Sequence, residues 1–463
     1  MGAPEVPTTV HRRSGQRTAT VPSRRVSQPP PGRIRTHSIA LAVVFWSGLA
    51  LAVAPWWYGD AGPVLIGAGR VTGLVGGYVL LVQITLVSRI PPVERWLGGS
   101  ALAWHRDLGI VVVAATLAHV GFTVTGYAVL DRTPLVFEVR SVLTGYTAMV
   151  SALVATLVLV AVVATATHAV RARLSYERWY RIHLAAYLVL LLGYGHQFAD
   201  GRELERPGFA RAYWCVLYVL ALGSLAWGRL VRPVRMNLRH RLRVDRVVDE
   251  SPQIVSVYVT GRRLADLSAK AGQFFRWRFL ARGMWWQSHP FSLSAAPNGD
   301  WLRVTVKVVG DHTEDMCEML RPGLPVIVSG PSGDFTADRR TRFRALLVAG
   351  GTGISPIRAL LEELPPRAVV IYRASRWQDI VFREELHWLA LAREASVVYV
   401  IGPRDAPGPS HAMSPVGLRE LVPDVRLRDV YVCGPDGLVA ATDRTLRELK
   451  VPRRQIHLDR FEF

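Results

Sequence analysis

Six stretches of this chain are too long and too apolar to sit comfortably in water: residues near 38–58, 63–88, 107–128, 142–169, 182–198 and 210–231. A helix of about 20 apolar residues crosses the hydrocarbon layer of a bilayer, so each stretch is expected to be one membrane span. Six spans return both ends of the chain to one side. Residues 234–463 have the mixed composition of a soluble protein, and the change in composition marks a boundary.

The net charge of +20, from 56 basic and 36 acidic residues, would suit a nucleic-acid partner if it were unsorted. It is sorted by loop. Arg89, Arg95 and Arg106, then Arg171, Arg173, Arg178 and Arg181, then Arg229, Arg232, Arg235, Arg239, Arg241 and Arg243 fall on one side. The opposite loops balance Arg132 and Arg140 against Asp131 and Glu138, and Arg202, Arg206 and Arg211 against Asp200, Glu203 and Glu205. The positive-inside bias predicts a multi-pass cell-membrane protein with both termini cytoplasmic. The charge belongs to the membrane, and no nucleic-acid motif accompanies it. Residues 1–36, rich in arginine and containing Pro29, Pro30 and Pro31, are expected to be a disordered tail with no cleaved signal. Cys215, Cys317 and Cys433 lie far apart without CxxC spacing, which excludes a disulfide framework and a four-cysteine iron–sulfur cluster.

Ionisable residues inside spans are costly and mark function. His105 and His119 lie on the third span and His183 and His196 on the fifth. These two spans run in the same direction, so His105 faces His183 at one depth and His119 faces His196 at another. On a straight helix the 14-residue spacing of the first two is about 21 Å and nearly restores the same face. Two stacked bis-histidine sites follow, suited to the axial ligation of two b-type haems. The 13-residue spacing on the fifth span falls short of a common face, and Gly193 and Gly195 are the expected place for a distortion. Arg70, within the second span, calls for an anionic partner such as a haem propionate, lines a polar route for an acceptor, or snorkels to the surface.

In the soluble half, alternating segments at Ile254–Val259, Phe274–Phe279 and Leu302–Val308 predict an antiparallel barrel. After Asp338 the pattern becomes strand, glycine turn and helix. Ala345–Val348 runs into Gly350, Gly351, Thr352 and Gly353, and further strands read at 368–372, 396–401, 430–433 and 455–458, as in a parallel nucleotide-binding sheet. A glycine turn of this kind lets backbone approach a pyrophosphate, although a plain strand-to-helix turn also explains it.

The chain resembles the ferric reductase and NADPH oxidase group over nearly everything after residue 36. The match rests on His289-Pro290-Phe291-Ser292-Leu293-Ser294, Lys307-Val308-Val309-Gly310-Asp311-His312-Thr313, Gly350 to Pro356, and Cys433-Gly434-Pro435. The resemblance implies that the first segment, Ser292 included, holds FAD, that Lys307, Gly310 and Thr313 contact its pyrophosphate, and that Cys433, Gly434 and Pro435 lie beside the nicotinamide. It also implies that the terminal aromatic, Phe463, stacks on the flavin where nicotinamide must enter. The implied order is a tail at 1–36, a six-helix transmembrane haem bundle at 37–233, a β-barrel FAD domain at 237–338 and an α/β NAD(P)-binding domain at 340–463.

Arg373, Ser375 and Arg376 follow the second strand of the nucleotide fold, where an NADP 2′-phosphate would sit and no NAD-specific acid is read, unless they only solvate a loop edge. The expected function is an oxidoreductase passing electrons from cytoplasmic NADPH (or NADH) through FAD and two haems to an external acceptor, ferric iron or oxygen. Two alternatives stay open: supply of electrons to quinone or a periplasmic redox protein, and a six-span transporter with a regulatory nucleotide domain. No sequence feature specifies an oligomeric state.

Overall fold

A computed structural model describes residues 33–461 except 59–61, 98–99, 206, 284, 309–310 and 404–405. Most of the tail, Gly310 and Phe463 therefore lie outside the described residues. Arg33 to Thr36, assigned above to the tail, instead begin the first helix, Arg33–Tyr58.

Among the described residues, six helical segments are long and apolar enough to cross a membrane: Ile39–Trp57, Val64–Leu86, Ser100–Asp131, Met149–Ala166, Arg178–Ala199 and Phe209–His240. Val44, Trp46, Leu191 and Val219 point outward from the bundle, as hydrocarbon surroundings permit. The third span is longer than its apolar stretch, so His105 lies within the helix. The second and third spans meet along a seam of small residues. A β-carbon on Gly76 would stand 3.3 Å from that of Ala115, and one on Gly73 would stand 2.8 Å from Nδ1 of His119. Small residues at three- and four-residue spacing let two backbones close up in lipid, where dispersion and hydrogen bonds replace hydrophobic burial as the cause of association.

The last span continues through a π-helical turn at Trp227–Val231 into the helix Arg232–His240. This extension docks the soluble half. The Asn237 side chain donates from Nδ2 to the Val328 carbonyl and accepts from the Val328 N–H, both at 2.8 Å, so it substitutes for a neighbouring strand. Glu94, between the second and third spans, accepts from Arg232 at 3.3 Å and Ser332 at 3.5 Å.

Six strands follow: β1 (Arg243–Ser251), β2 (Ile254–Thr260), β3 (Phe274–Phe279), β4 (His289–Ser292), β5 (Leu302–Lys307) and β6 (Val326–Ser332). They form two antiparallel sheets, ordered β1-β2-β5 and β4-β3-β6, joined by isolated bridges at Arg243–Pro325 and Leu293–Val304. Val257, Phe275, Trp277, Leu293, Val304 and Val306 fill the space between them. The last five strands are β7 (Ala345–Gly350), β8 (Val369–Ala374), β9 (Ser396–Ile401), β10 (Asp429–Pro435) and β11 (Ile456–Phe461). They make the expected parallel sheet, in the order β11-β10-β7-β8-β9.

Trp277 is fully buried and its indole N–H donates to the Phe291 carbonyl at 3.0 Å, tying β3 to β4. Trp277→Phe keeps an aromatic ring but removes that bond. Thermal unfolding of the detergent-solubilised protein is expected to show a loss of about 1–3 kcal/mol in the soluble half, whereas an unchanged midpoint would mean the bond contributes nothing.

Candidate functional site

The four histidines come together in the two pairs that their spacing predicts. The rings of His105 and His183 have centroids 6.0 Å apart, and those of His119 and His196 are 6.2 Å apart. On the third span both rings are oriented by backbone of the second. Nδ1 of His119 donates to the Gly69 carbonyl at 2.7 Å, and Nδ1 of His105 to the Gln83 carbonyl at 3.2 Å. The Gln83 amide returns a bond to the His105 carbonyl at 2.9 Å. In each case Nε2 is left as the nitrogen available for a ligand bond. His183 is held differently, by the face of Trp179 stacked at 5.0 Å. Nδ1 of His183 is buried with no hydrogen bond among the described residues, and Nδ1 of His196 stands 3.6 Å from the Asp200 carboxylate.

The distortion of the fifth span is at Ala185, not at Gly193 or Gly195. The helix Tyr176–Leu184 ends there and Ala186–Ala199 begins. The Ala185 N–H bonds the Ile182 carbonyl at 3.0 Å and the Leu188 N–H bonds that of Ala185 at 2.9 Å, both three residues back. A turn closed this way rotates about 120° per residue in place of 100°. Overwinding advances His196 toward the face of His183, the direction that 13 residues of regular helix lack.

Arg70 has its anion within the chain: the guanidinium pairs with Glu203, from the loop after the fifth span. Both side chains are largely shielded from solvent, and Glu203 supplies the anionic partner that a guanidinium in a span requires. In the sequence Glu203 reads only as a loop charge.

In the soluble half, β4 carries His289, Pro290, Phe291 and Ser292, with Ser292 buried and Pro290 exposed. The His289 ring stacks on Phe291 at 5.8 Å. Lys307 ends β5, and Thr313 lies in the first turn of the helix Asp311–Met319 that follows. In the parallel sheet, the turns after β7 and β10 abut. A β-carbon on Gly353 would collide with the Cys433 carbonyl, and one on Gly434 would stand 3.1 Å from the Gly350 backbone. Gly351 has φ +55°, which favours glycine, and Tyr372 donates to its carbonyl at 3.3 Å. From β7 the chain winds to β8 on one side, and from β10 to β11 on the other. The crevice between two such strands, at their carboxyl ends, is where open α/β sheets bind nucleotides.

Three family profiles match in succession. The one described as "Ferric reductase like transmembrane component" covers residues 72–194, "FAD-binding domain" covers 250–348, and "Oxidoreductase NAD-binding domain" covers 347–444. The chain belongs to the ferric reductase-like flavoprotein oxidoreductases. Among its relatives, ferredoxin–NADP reductase B of Sorangium cellulosum is 30% identical over 191 residues, 37% of this chain and 77% of that protein. A flavohemoprotein of Oceanobacillus iheyensis is 28% identical over 189 residues, 37% of this chain and 46% of the relative, so the chain spans about half that protein's length. A solved ferredoxin reductase of carbazole 1,9a-dioxygenase is 23% identical, with 48% of this chain and 69% of that one covered and a TM-score of 0.42.

Two expectations about the nucleotide edge of this oxidoreductase need correction. The Arg373 guanidinium donates to the Val400 carbonyl at 3.1 Å and that of Gly402 at 2.6 Å, fastening β8 to the end of β9 in place of reaching outward. The edge also has an acid. Asp379 accepts from the Arg376 N–H at 3.1 Å and pairs with its guanidinium at 3.3 Å. Ser375 and the exposed Arg376 are what remain of the expected trio. Cys433 is wholly buried, its Sγ 3.7 Å from the Asp459 carboxyl on β11. Burial first, and then that neighbouring acid, push the thiol well above its ordinary pKa. It is therefore a neutral packing group at the turn and no nucleophile.

Asp459 was absent from the residues singled out by sequence, although an acid between Leu458 and Arg460 in a short strand was a visible signal. Burial pushes its carboxyl up to about 6. The folded protein holds a proton that the unfolded chain, with a carboxyl near about 3.9, releases. That stabilisation is present at low pH and lost as pH rises through about 6. Asp459→Asn is expected to gain thermal stability relative to the parent between pH 5 and pH 8, by about 1.4 kcal/mol. A difference independent of pH would show that the carboxyl titrates normally.

Proposed function

We propose that this oxidoreductase carries electrons from NAD(P)H, through FAD in the soluble half and two haems in the bundle, to an acceptor across the membrane. The observation that carries the reading is the separation within the histidine pairs, 6.0 and 6.2 Å between ring centres. A metal between two imidazoles needs about 2.0–2.1 Å to each nitrogen. Another ~1.1 Å from nitrogen to ring centre, for rings built of C–N bonds near 1.33 Å, brings the total to about 6 Å. Among the described residues no group of three or more His, Cys, Asp or Glu side chains comes together to hold a metal ion. Two imidazoles without a third donor suit a metal that brings its own equatorial ligands, as haem iron does.

His105 and His183 would hold one haem and His119 and His196 the other, with about 21 Å of helix between the two levels. Bound in these places, FAD would accept hydride from the nicotinamide and the haems would accept electrons singly. The chain's own part is to orient and to shield. The Gly69 and Gln83 carbonyls set two of the imidazoles, Trp179 holds a third, and the turns at Gly350–Gly353 and Cys433–Pro435 frame the crevice for the dinucleotide. Lys307 and Thr313 flank the flavin segment, whose Gly310 lies outside the described residues. Ser375 and Arg376, the latter shared with Asp379, remain to receive a 2′-phosphate, and the name of the Sorangium relative also favours NADPH; that of the flavohemoprotein pairs flavin with haem. The arginine-rich loops beside the soluble half favour a cytoplasmic nicotinamide site and cytoplasmic termini. The acceptor, ferric iron or oxygen, then meets the level of His119.

In His119→Ala, flavin reduction by NADPH is expected to proceed as in the parent, while about half the haem absorbance and all transfer to an external acceptor are lost. Transfer that survived would overturn the stacked-haem reading. A parent protein without a haem absorption band would favour the transporter alternative. Adding oxygen, ferric chelate or quinone to the anaerobically reduced protein, and following which one reoxidises it, identifies the acceptor.

A further inference from the structure

The joint between the flavin sheets and the parallel sheet is ionic, with its arginines buried and its glutamates partly exposed. Arg303, on β5, is 1% exposed. Nη1 donates to Oε1 of Glu385 at 2.7 Å and to the Tyr258 hydroxyl at 3.3 Å. Nη2 donates to Oε2 of Glu385 at 3.0 Å and to the Ser294 carbonyl at 2.8 Å, and Nε to the Ser294 hydroxyl at 3.1 Å. All five of its N–H groups are used. From the other side comes Arg358, on the helix Ile354–Glu363. Its Nε donates to Oε2 of Glu385 at 2.6 Å, and its Nη1 reaches the Ser294 carbonyl at 3.3 Å and pairs with Glu362. The same helix accepts the Ala271 N–H on Glu363 at 3.0 Å and the Ala296 N–H on Glu362 at 3.4 Å.

Within the ion-paired part of the joint, Arg303 and Arg358 are matched by Glu385 and Glu362. Burial pushes the Glu385 carboxyl up, but Arg303 and Arg358 outweigh it and hold its pKa below the ordinary value, so it is ionised at neutral pH. What the network grips is specific. Ser294 is the last residue of the segment assigned to FAD, and Arg358 stands one turn into the helix that begins at the glycine turn assigned to the dinucleotide. One carbonyl therefore receives an arginine from each domain.

We propose that Arg303, Glu385 and Arg358 are positioning residues that fix the distance between the flavin segment and the nicotinamide crevice, and so set the rate of hydride transfer without touching either reactant. The inference rests on the reading of those two segments given above. Misplacement of reacting groups by about 1 Å costs on the order of 100-fold in rate, and removal of one member of a buried ionic network leaves the others uncompensated.

The test is anaerobic stopped-flow reduction of the purified full-length protein by NADPH. Glu385→Gln is expected to lower the limiting rate of flavin reduction at least about tenfold, with FAD content unchanged and the NADPH concentration at half-maximal rate within about threefold. Glu385→Asp, which keeps the charge, is expected to recover part of the rate. An unchanged limiting rate in Glu385→Gln with FAD retained overturns the proposal, as does a change confined to the half-saturating concentration. Should Glu385→Gln shed FAD, the Arg303→Met/Glu385→Met pair, which leaves Arg358 with Glu362, takes its place. That pair is expected to hold FAD and still reduce slowly, and a normal rate or a loss of FAD in it overturns the proposal. A parent protein that holds no FAD, or is not reduced by NADPH, fails the functional reading itself, a result distinct from any of these.

Discussion

A polar side chain in the hydrocarbon layer must find its hydrogen bonds within the protein, because no water is there to complete them. The contact between the second and third spans meets that requirement, whereas Nδ1 of His183 on the fifth has no hydrogen bond among the described residues. The seam of Gly69, Gly73 and Gly76 brings the second span close enough for its carbonyls to reach the imidazoles of the third. Were the seam wider, His119 would lose the Gly69 carbonyl and with it the orientation that turns its ring toward His196. The Arg70–Glu203 pair obeys the same rule at larger scale, since a buried guanidinium is tolerable only beside its carboxylate. The orientation of the third-span imidazoles is thus a by-product of satisfying polar groups in lipid.

The soluble half solves a related problem by other means. Its two cores are apolar, yet the joint between them is ionic, with Arg303 and Glu385 at its centre. Charged hydrogen bonds hold direction more strictly than dispersion does, and a joint that must fix a distance between two bound molecules gains from that strictness. Asn237 plays the corresponding part between membrane and soluble halves, matching both backbone groups of Val328. Each module of this ferric reductase-like oxidoreductase is therefore fastened to the next by directional polar contacts.

Much of this was legible in the chain. The six spans, the histidine spacing of 14 and 13, the glycine turn after β7 and the strands of the parallel sheet are all local, set by a period or a short motif. Some local structure was hidden too. β1 was missed because Val244 is its one fully buried residue and its charged neighbours Asp245, Arg246, Asp249 and Glu250 conceal the alternation. The break at Ala185 was missed because alanine has no signature of a tightened turn, while Gly193 and Gly195 drew notice for a flexibility the helix does not use.

By itself the sequence determined which segments leave water, which face of the third span carries imidazole, and which turns can approach a phosphate, because those properties depend on neighbours within one or two helical turns. Tertiary structure alone decided which partners the isolated charges take. Glu203 answers Arg70 from 133 residues away, Glu385 answers Arg303 from 82, and the carbonyls of Val400 and Gly402 claim an Arg373 that the sequence had offered to a nucleotide. A charge seeks the nearest opposite charge or dipole in space, and distance in space is what a linear pattern does not contain.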